Sequence, residues 1–127
     1  MGITASFGKG RYRIFAEAIQ AGDGIIVYVG GGERPHIGGF SLSDPPASAV
    51  SFSIPLHKDF VVSHQVSEKV SRATGKRCLA VSGIHVENAT KEEISMLVNN
   101  ALACTDILIE LMREAGLSST ASTSPTS

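Results

Sequence analysis

The apolar residues of this 127-residue chain change their period near Asp59, and that change limits the class of fold it can adopt. Before it they alternate. "RYRIFAEAI" (11–19) places Tyr12, Ile14, Ala16 and Ala18 on one side of a strand. "QAGDG" follows as a turn, with Asp23-Gly24 suited to positive φ, and "IIVYV" completes a hairpin. "IGGFSLS" reads as a third strand stopped by "DPP", and "SAVSFSI" as a fourth, with Val50, Phe52 and Ile54 alternating against serines until Pro55. After it the spacing is helical. From Asp59 to about Ala73, Val62, Val66, Val70 and Ala73 share a face, Glu68 and Arg72 form an i,i+4 pair, and Gly75 closes the helix. "RCLAVSG" (77–83) is a short buried strand, and "IHVENA" a polar connection.

Thr90-Lys91-Glu92-Glu93 then has the form of a capping box, in which a threonine hydroxyl and a glutamate carboxylate satisfy each other's backbone amides. The helix it starts carries Ile94, Leu97, Val98, Ala101, Leu102, Leu108, Ile109 and Met112 on one broad stripe, widened by Met96, Ile107 and Leu111. So wide a stripe is expected to cover a sheet and also to touch another subunit. Gly116 suits the stop. A run of strands followed by helix, strand, helix is α+β: a mainly antiparallel sheet with two helices packed on one face. The expected limits are a flexible N-terminus over 1–10, one domain over 11–116, and a disordered Ser/Thr-rich tail over 117–127, "LSSTASTSPTS".

A net charge of −1 argues against nucleic acid as a partner, and Lys9, Arg11 and Arg13 read as a solvated strand face. No secretory signal and no run of ~18 apolar residues is present, so no membrane association is expected. The "MGITAS" start fits the loose myristoylation pattern, which is too short and frequent to carry weight. Cys78 and Cys104 are unclustered and lie in apolar settings, as core residues do in a reducing cytoplasm.

The chemistry-bearing residues are the histidines. His36 in "RPHIGG", His57 in "PLHKD" and His85 in "SGIHVEN" each sit at a junction beside a strand end, with Asp59 and Glu87 close to two of them. His64 lies inside the first helix and reads as a structural or surface residue. Three converging histidines would suit a divalent metal or a ligand phosphate, although a single loop histidine is as a rule only a hydrogen-bonded surface residue. The loop "GGGERPHIGG" is neither a P-loop nor a dinucleotide fingerprint. Its glycine amides either form an anion-binding nest or make a loose hairpin connection. No G-x-S-x-G elbow, exposed thiol or paired carboxylates point to catalysis. The residues alone describe a binding module, not an enzyme. A small metal-dependent hydrolase would need a general base that is not evident.

Taken in order, "GGGERPHIGGFSLS", "IPLHKD" and "SGIHVENATKEEI" resemble the small LpdD-type prenylated-flavin chaperones that accompany UbiD-type decarboxylases. The likeness runs from about Arg11 to Met112. It implies a fold related to proteasome assembly chaperones, a homodimer, and a role in carrying prenylated FMN, or FMN, from a flavin prenyltransferase towards a UbiD-type decarboxylase of aromatic or unsaturated acids. The site residues it implies for the flavin are Gly31, Gly32, Pro35, His36, Ile37, Gly38, Lys58, Gly83 and Ile84. For a divalent metal they are His36, His57, His85 and Glu87. Thr90 reads as a helix cap, and Glu87-Asn88 stands where the looser pattern favours an aspartate. A second reading needs no small ligand: a protein-interaction module that assists assembly of a partner complex.

Overall fold

The computed structural model describes residues 2–45, 50–53 and 60–117. The strands are β1 (Gly2–Phe7), β2 (Ile14–Ala21), β3 (Gly24–Gly32), β4 (Gly39–Ser43), β5 (Val50–Ser53) and β6 (Cys78–His85), with helices α1 (Phe60–Thr74) and α2 (Lys91–Glu114). They form one sheet in the order β1-β2-β3-β6-β4-β5. β6 is central, parallel to β3 and antiparallel to β4, and every other pairing is antiparallel. The fold is therefore the expected α+β one, with a single parallel pairing created by the return through α1.

Both helices cover the same face. α2 lies against β1 and β2, α1 against β4, β5 and β6, and the helices touch each other. The core between them takes Ile14, Ala16 and Ala18 from β2 and Val27 and Val29 from β3. From the helices come Val66, Val70, Leu108 and Met112. Burial pushes the Cys78 thiol up to about 12 and that of Cys104 to about 11, so both are packed groups and not nucleophiles. By length and mean hydropathy (1.4), α2 would also suffice to cross a membrane, but here Leu97, Ala101, Leu108 and Met112 bury its stripe in this core.

Two elements differ from expectation. Residues 2–7, expected to be flexible, form the edge strand β1, paired with β2 from Gly2↔Ile19 to Phe7↔Ile14. The sequence signal was faint because only Ile3 and Ala5 pack against the core from it. Arg11 and Tyr12, expected to open a strand, instead lie in a 3-10 turn, Gly10–Tyr12, and the strand starts at Ile14. The tail from residue 118 onwards lies outside the described residues.

The third and fourth strands pair as β4 and β5, with an unusual orientation. Their serines face the helices, and their large apolar residues face away. Ser41 and Ser43 are buried, whereas Phe40, Leu42, Val50 and Phe52 are 39–60% exposed. A seam of hydroxyls replaces apolar packing under α1: Ser41 Oγ lies 2.8 Å from Ser63 Oγ and 2.7 Å from Ser51 Oγ, and Ser43 Oγ 2.9 Å from Ser67 Oγ. His64 Nδ1 joins the seam at Ser51 Oγ, 2.9 Å, while its Nε2 faces Glu68 at 3.5 Å, so His64 is structural as expected. Among the described residues no buried side-chain polar atom lacks a partner, which makes such a seam tolerable.

Candidate functional site

The site lies at one end of the sheet, where β3 and β6 finish side by side. Their parallel register sets Gly30 beside Gly83, Gly31 beside Ile84 and Gly32 beside His85. The segment after β3 doubles back along β6: His36 N–H donates to Gly83 O (3.3 Å) and Gly38 N–H to Ser82 O (2.9 Å). Two histidines distant in sequence are thereby brought together. Their rings stand 6.5 Å apart between centroids, near-perpendicular at 78°.

This arrangement accounts for the glycines. A Cβ on Gly83 would run into the His36 carbonyl, so the crossing is open to glycine alone. That carbonyl also accepts a 2.6 Å hydrogen bond from the Tyr28 hydroxyl, whose ring lies where a Cβ on Gly30 would be. Gly32 has φ +72° and sits against the His85 carbonyl. The expectation that these amides form an anion nest meets a different arrangement. The N–H groups of Gly32, Glu33, Arg34, His36 and Gly38 all donate to backbone carbonyls, so an anion here would meet side chains instead.

Those side chains are half-buried or exposed. His36 Nδ1 lies 3.2 Å from Arg34 O, and His85 Nε2 lies 3.0 Å from Glu87 Oε1. The Glu87 carboxyl is held below its ordinary range, mainly by the hydrogen bond from His85 and also by the charge of Arg34. Pro35 and Ile37 are exposed beside His36, Ile37 at 67%, and Ile84 is half-buried. His57 and Lys58 lie outside the described residues. The expected metal centre is not formed by the others: no group of three or more His, Cys, Asp or Glu among the described residues could hold a metal ion. The physical reason is that Glu87 caps the outer side of His85, while His36 turns to its own loop.

A bracket that the sequence did not announce holds this end together. Glu33 Oε1 accepts from the Glu87 amide (2.7 Å), and Arg11 donates to the Glu87 carbonyl (3.0 Å) while lying 3.6 Å from both Glu33 and Glu93. Asn88 makes the turn at φ 54°, and Thr90 then starts α2 with the expected capping box: Glu93 N–H to Thr90 Oγ1 at 3.1 Å, Thr90 N–H to Glu93 Oε1 at 2.8 Å. The other oxygen of Glu93 accepts from the Tyr12 hydroxyl. This bond is the main cause that holds Glu93 below its ordinary 4.5 and raises Tyr12 above 10.0.

The two shifts have opposite consequences. A depressed carboxyl adds stability above its unfolded pKa and loses it as pH falls through the folded value; a raised phenol adds stability below its unfolded pKa and loses it as pH climbs through the folded value. The stability difference between wild type and Tyr12→Phe is therefore expected to be constant between about pH 5 and 9 and to shrink at both extremes. Urea unfolding across pH measures it; a difference independent of pH at both ends would show that the pair is not formed.

The architecture has a counterpart among solved structures. It is similar to a solved chain from "Crystal Structure of a Novel Chaperone Complex for Yeast 20S Proteasome Assembly", with a TM-score of 0.62 at 15% identity over 90% of this chain and 95% of that one, so it has the fold of a proteasome assembly chaperone. The sequence places it more narrowly. Residues 8–113 match the profile of the prenylated flavin chaperone LpdD-like domain, and the chain belongs to that family. It is 28% identical over 89 residues to Protein LpdD of Lactiplantibacillus plantarum, covering 66% of this chain and 65% of that protein. It is also 36% identical over 83 residues to gamma-2-syntrophin of Homo sapiens, covering 65% of this chain but 15% of that protein. The chain thus spans less than two thirds of either relative.

Proposed function

We propose that this chain is a non-catalytic carrier of prenylated FMN, or of FMN, working in the cytoplasm between a flavin prenyltransferase and a UbiD-type decarboxylase. The observation that carries the reading is the family match over residues 8–113, joined to the convergence of His36 and His85 at one end of the sheet. The residues there suit such a cargo. The two imidazoles and Arg34 offer donors to a phosphate, while Ile37 and the Tyr28 ring offer an apolar edge to a fused ring system.

The test is delivery. Flavin-loaded chain, mixed anaerobically with the apo form of a UbiD-type decarboxylase, is expected to restore decarboxylation faster than the same amount of free cofactor. Equal or slower restoration would remove the delivery role.

The second reading, an interaction module without a small ligand, is favoured by a separate observation: the face of the sheet opposite the helices is apolar and uncovered by any described residue. Under that reading replacement of His36 and His85 leaves capture of the partner intact.

A further inference from the structure

We infer that the Glu87 side chain is a built-in competitor for the ligand's phosphate: it holds the His85 imidazole, swings aside when an anion takes that donor, and returns to it as the cargo leaves. The inference rests on the carrier reading and adds to it a residue that loosens binding instead of making it.

The competition follows from the geometry at the rim. His85 Nε2 lies 3.0 Å from Glu87 Oε1. A carboxylate oxygen at that distance stands where a phosphate oxygen would accept from the same N–H. One N–H cannot serve two anionic oxygens at full strength, and the two negative groups repel each other. Phosphate and Glu87 are therefore alternatives on His85.

Glu87 is built to move its side chain and nothing else. Its N–H donates to Glu33 Oε1 at 2.7 Å and its carbonyl accepts from Arg11 at 3.0 Å, so the backbone is pinned on both sides. The side chain is 73% exposed and bonded to His85, with the charge of Arg34 nearby. Rotating the carboxylate into water breaks the His85 contact and leaves the pinned turn as it was. Exposed pairs of this kind contribute little, so a phosphate, with more charge and more acceptor oxygens, displaces it and takes over the Arg34 charge as well.

The neighbouring carboxylates show the contrast. Those of Glu33 and Glu93 each accept from a backbone amide and so support the turn and the start of α2. That of Glu87 accepts from a side chain of the candidate ligand site. A carrier has to release its cargo as well as hold it, and a tethered anion that recaptures His85 raises the rate of release.

Fluorescence titration of the full chain tests this, with FMN as the probe and riboflavin as its counterpart without a phosphate. Glu87→Ala is expected to bind FMN about fivefold tighter than wild type, mainly through slower dissociation, and riboflavin no tighter. Glu87→Gln, which keeps a neutral acceptor, should fall between. In a His85→Ala background Glu87→Ala should no longer tighten FMN binding. If wild type binds FMN and Glu87→Ala leaves that affinity unchanged or lowers it, the proposal falls and the carrier reading stands. A gain that persists without His85, or that extends equally to riboflavin, also overturns it, because Glu87 would then act without contesting the phosphate. FMN bound by neither wild type nor variant removes the carrier reading and this proposal together.

Discussion

Gly83→Val is expected to cost about 1–3 kcal/mol or more and to displace the loop that carries His36. Gly83 is buried in the central strand, and any Cβ there meets the His36 carbonyl, a backbone atom that cannot rotate out of the way. Either β6 shifts in the middle of the sheet or the 33–38 segment lifts, releasing the His36 N–H and the Tyr28 hydroxyl from their partners. Tyr28→Phe is the matched control, since it removes only the hydroxyl and should cost about 1 kcal/mol. Urea unfolding of the two variants separates these outcomes. Equal costs would mean that the loop yields easily and that the glycine is not needed for the crossing.

The second large effect concerns the ligand. His36→Ala/His85→Ala is expected to weaken flavin retention by roughly a hundredfold to ten-thousandfold, because two hydrogen bonds to a charged phosphate contribute about 1.5–3 kcal/mol each. Folding should change little, since both rings are only half-buried and neither belongs to the core. Equilibrium dialysis or fluorescence titration with FMN reads the affinity, and a thermal melt checks the fold. Unchanged affinity in a stable double variant would detach the histidines from binding. It would leave the sheet face as the chain's principal functional surface.

Much of this architecture was legible before any coordinates. The β2–β3 hairpin, the helical period of α1, the buried β6 and the capping box of α2 all rest on local patterns, and all are present. What escaped was decided by long-range contacts. The alternation in "FSLS" and "SFS" is plain, but alternation does not say which side is the core, and the serine seam beneath α1 inverted the usual assignment. The sequence marks His36, His57 and His85 as junction residues beside glycine or proline. The meeting of His36 and His85 depends on the parallel β3–β6 register, which no local spacing encodes. The Arg11–Glu33–Glu87 bracket is likewise assembled from three separate segments.

These contacts also connect fold to function. The register that pairs Gly32 with His85 sets the rim of the site, and the bracket fixes the turn leading to Thr90 and α2. Rim and apolar face share the same strands. A substitution in β6 is therefore expected to affect both ligand and partner, whereas one on the exposed side of α2 should affect neither.

The central claim, that the chain carries a prenylated flavin, is tested most directly by anaerobic purification from cells co-expressing a flavin prenyltransferase. The released ligand is identified by absorption and mass spectrometry. Near-stoichiometric prenylated FMN on the wild-type chain, lost from His36→Ala/His85→Ala, is the predicted result. A colourless protein that remains folded and still captures a decarboxylase subunit would contradict the carrier reading and leave an interaction module in its place.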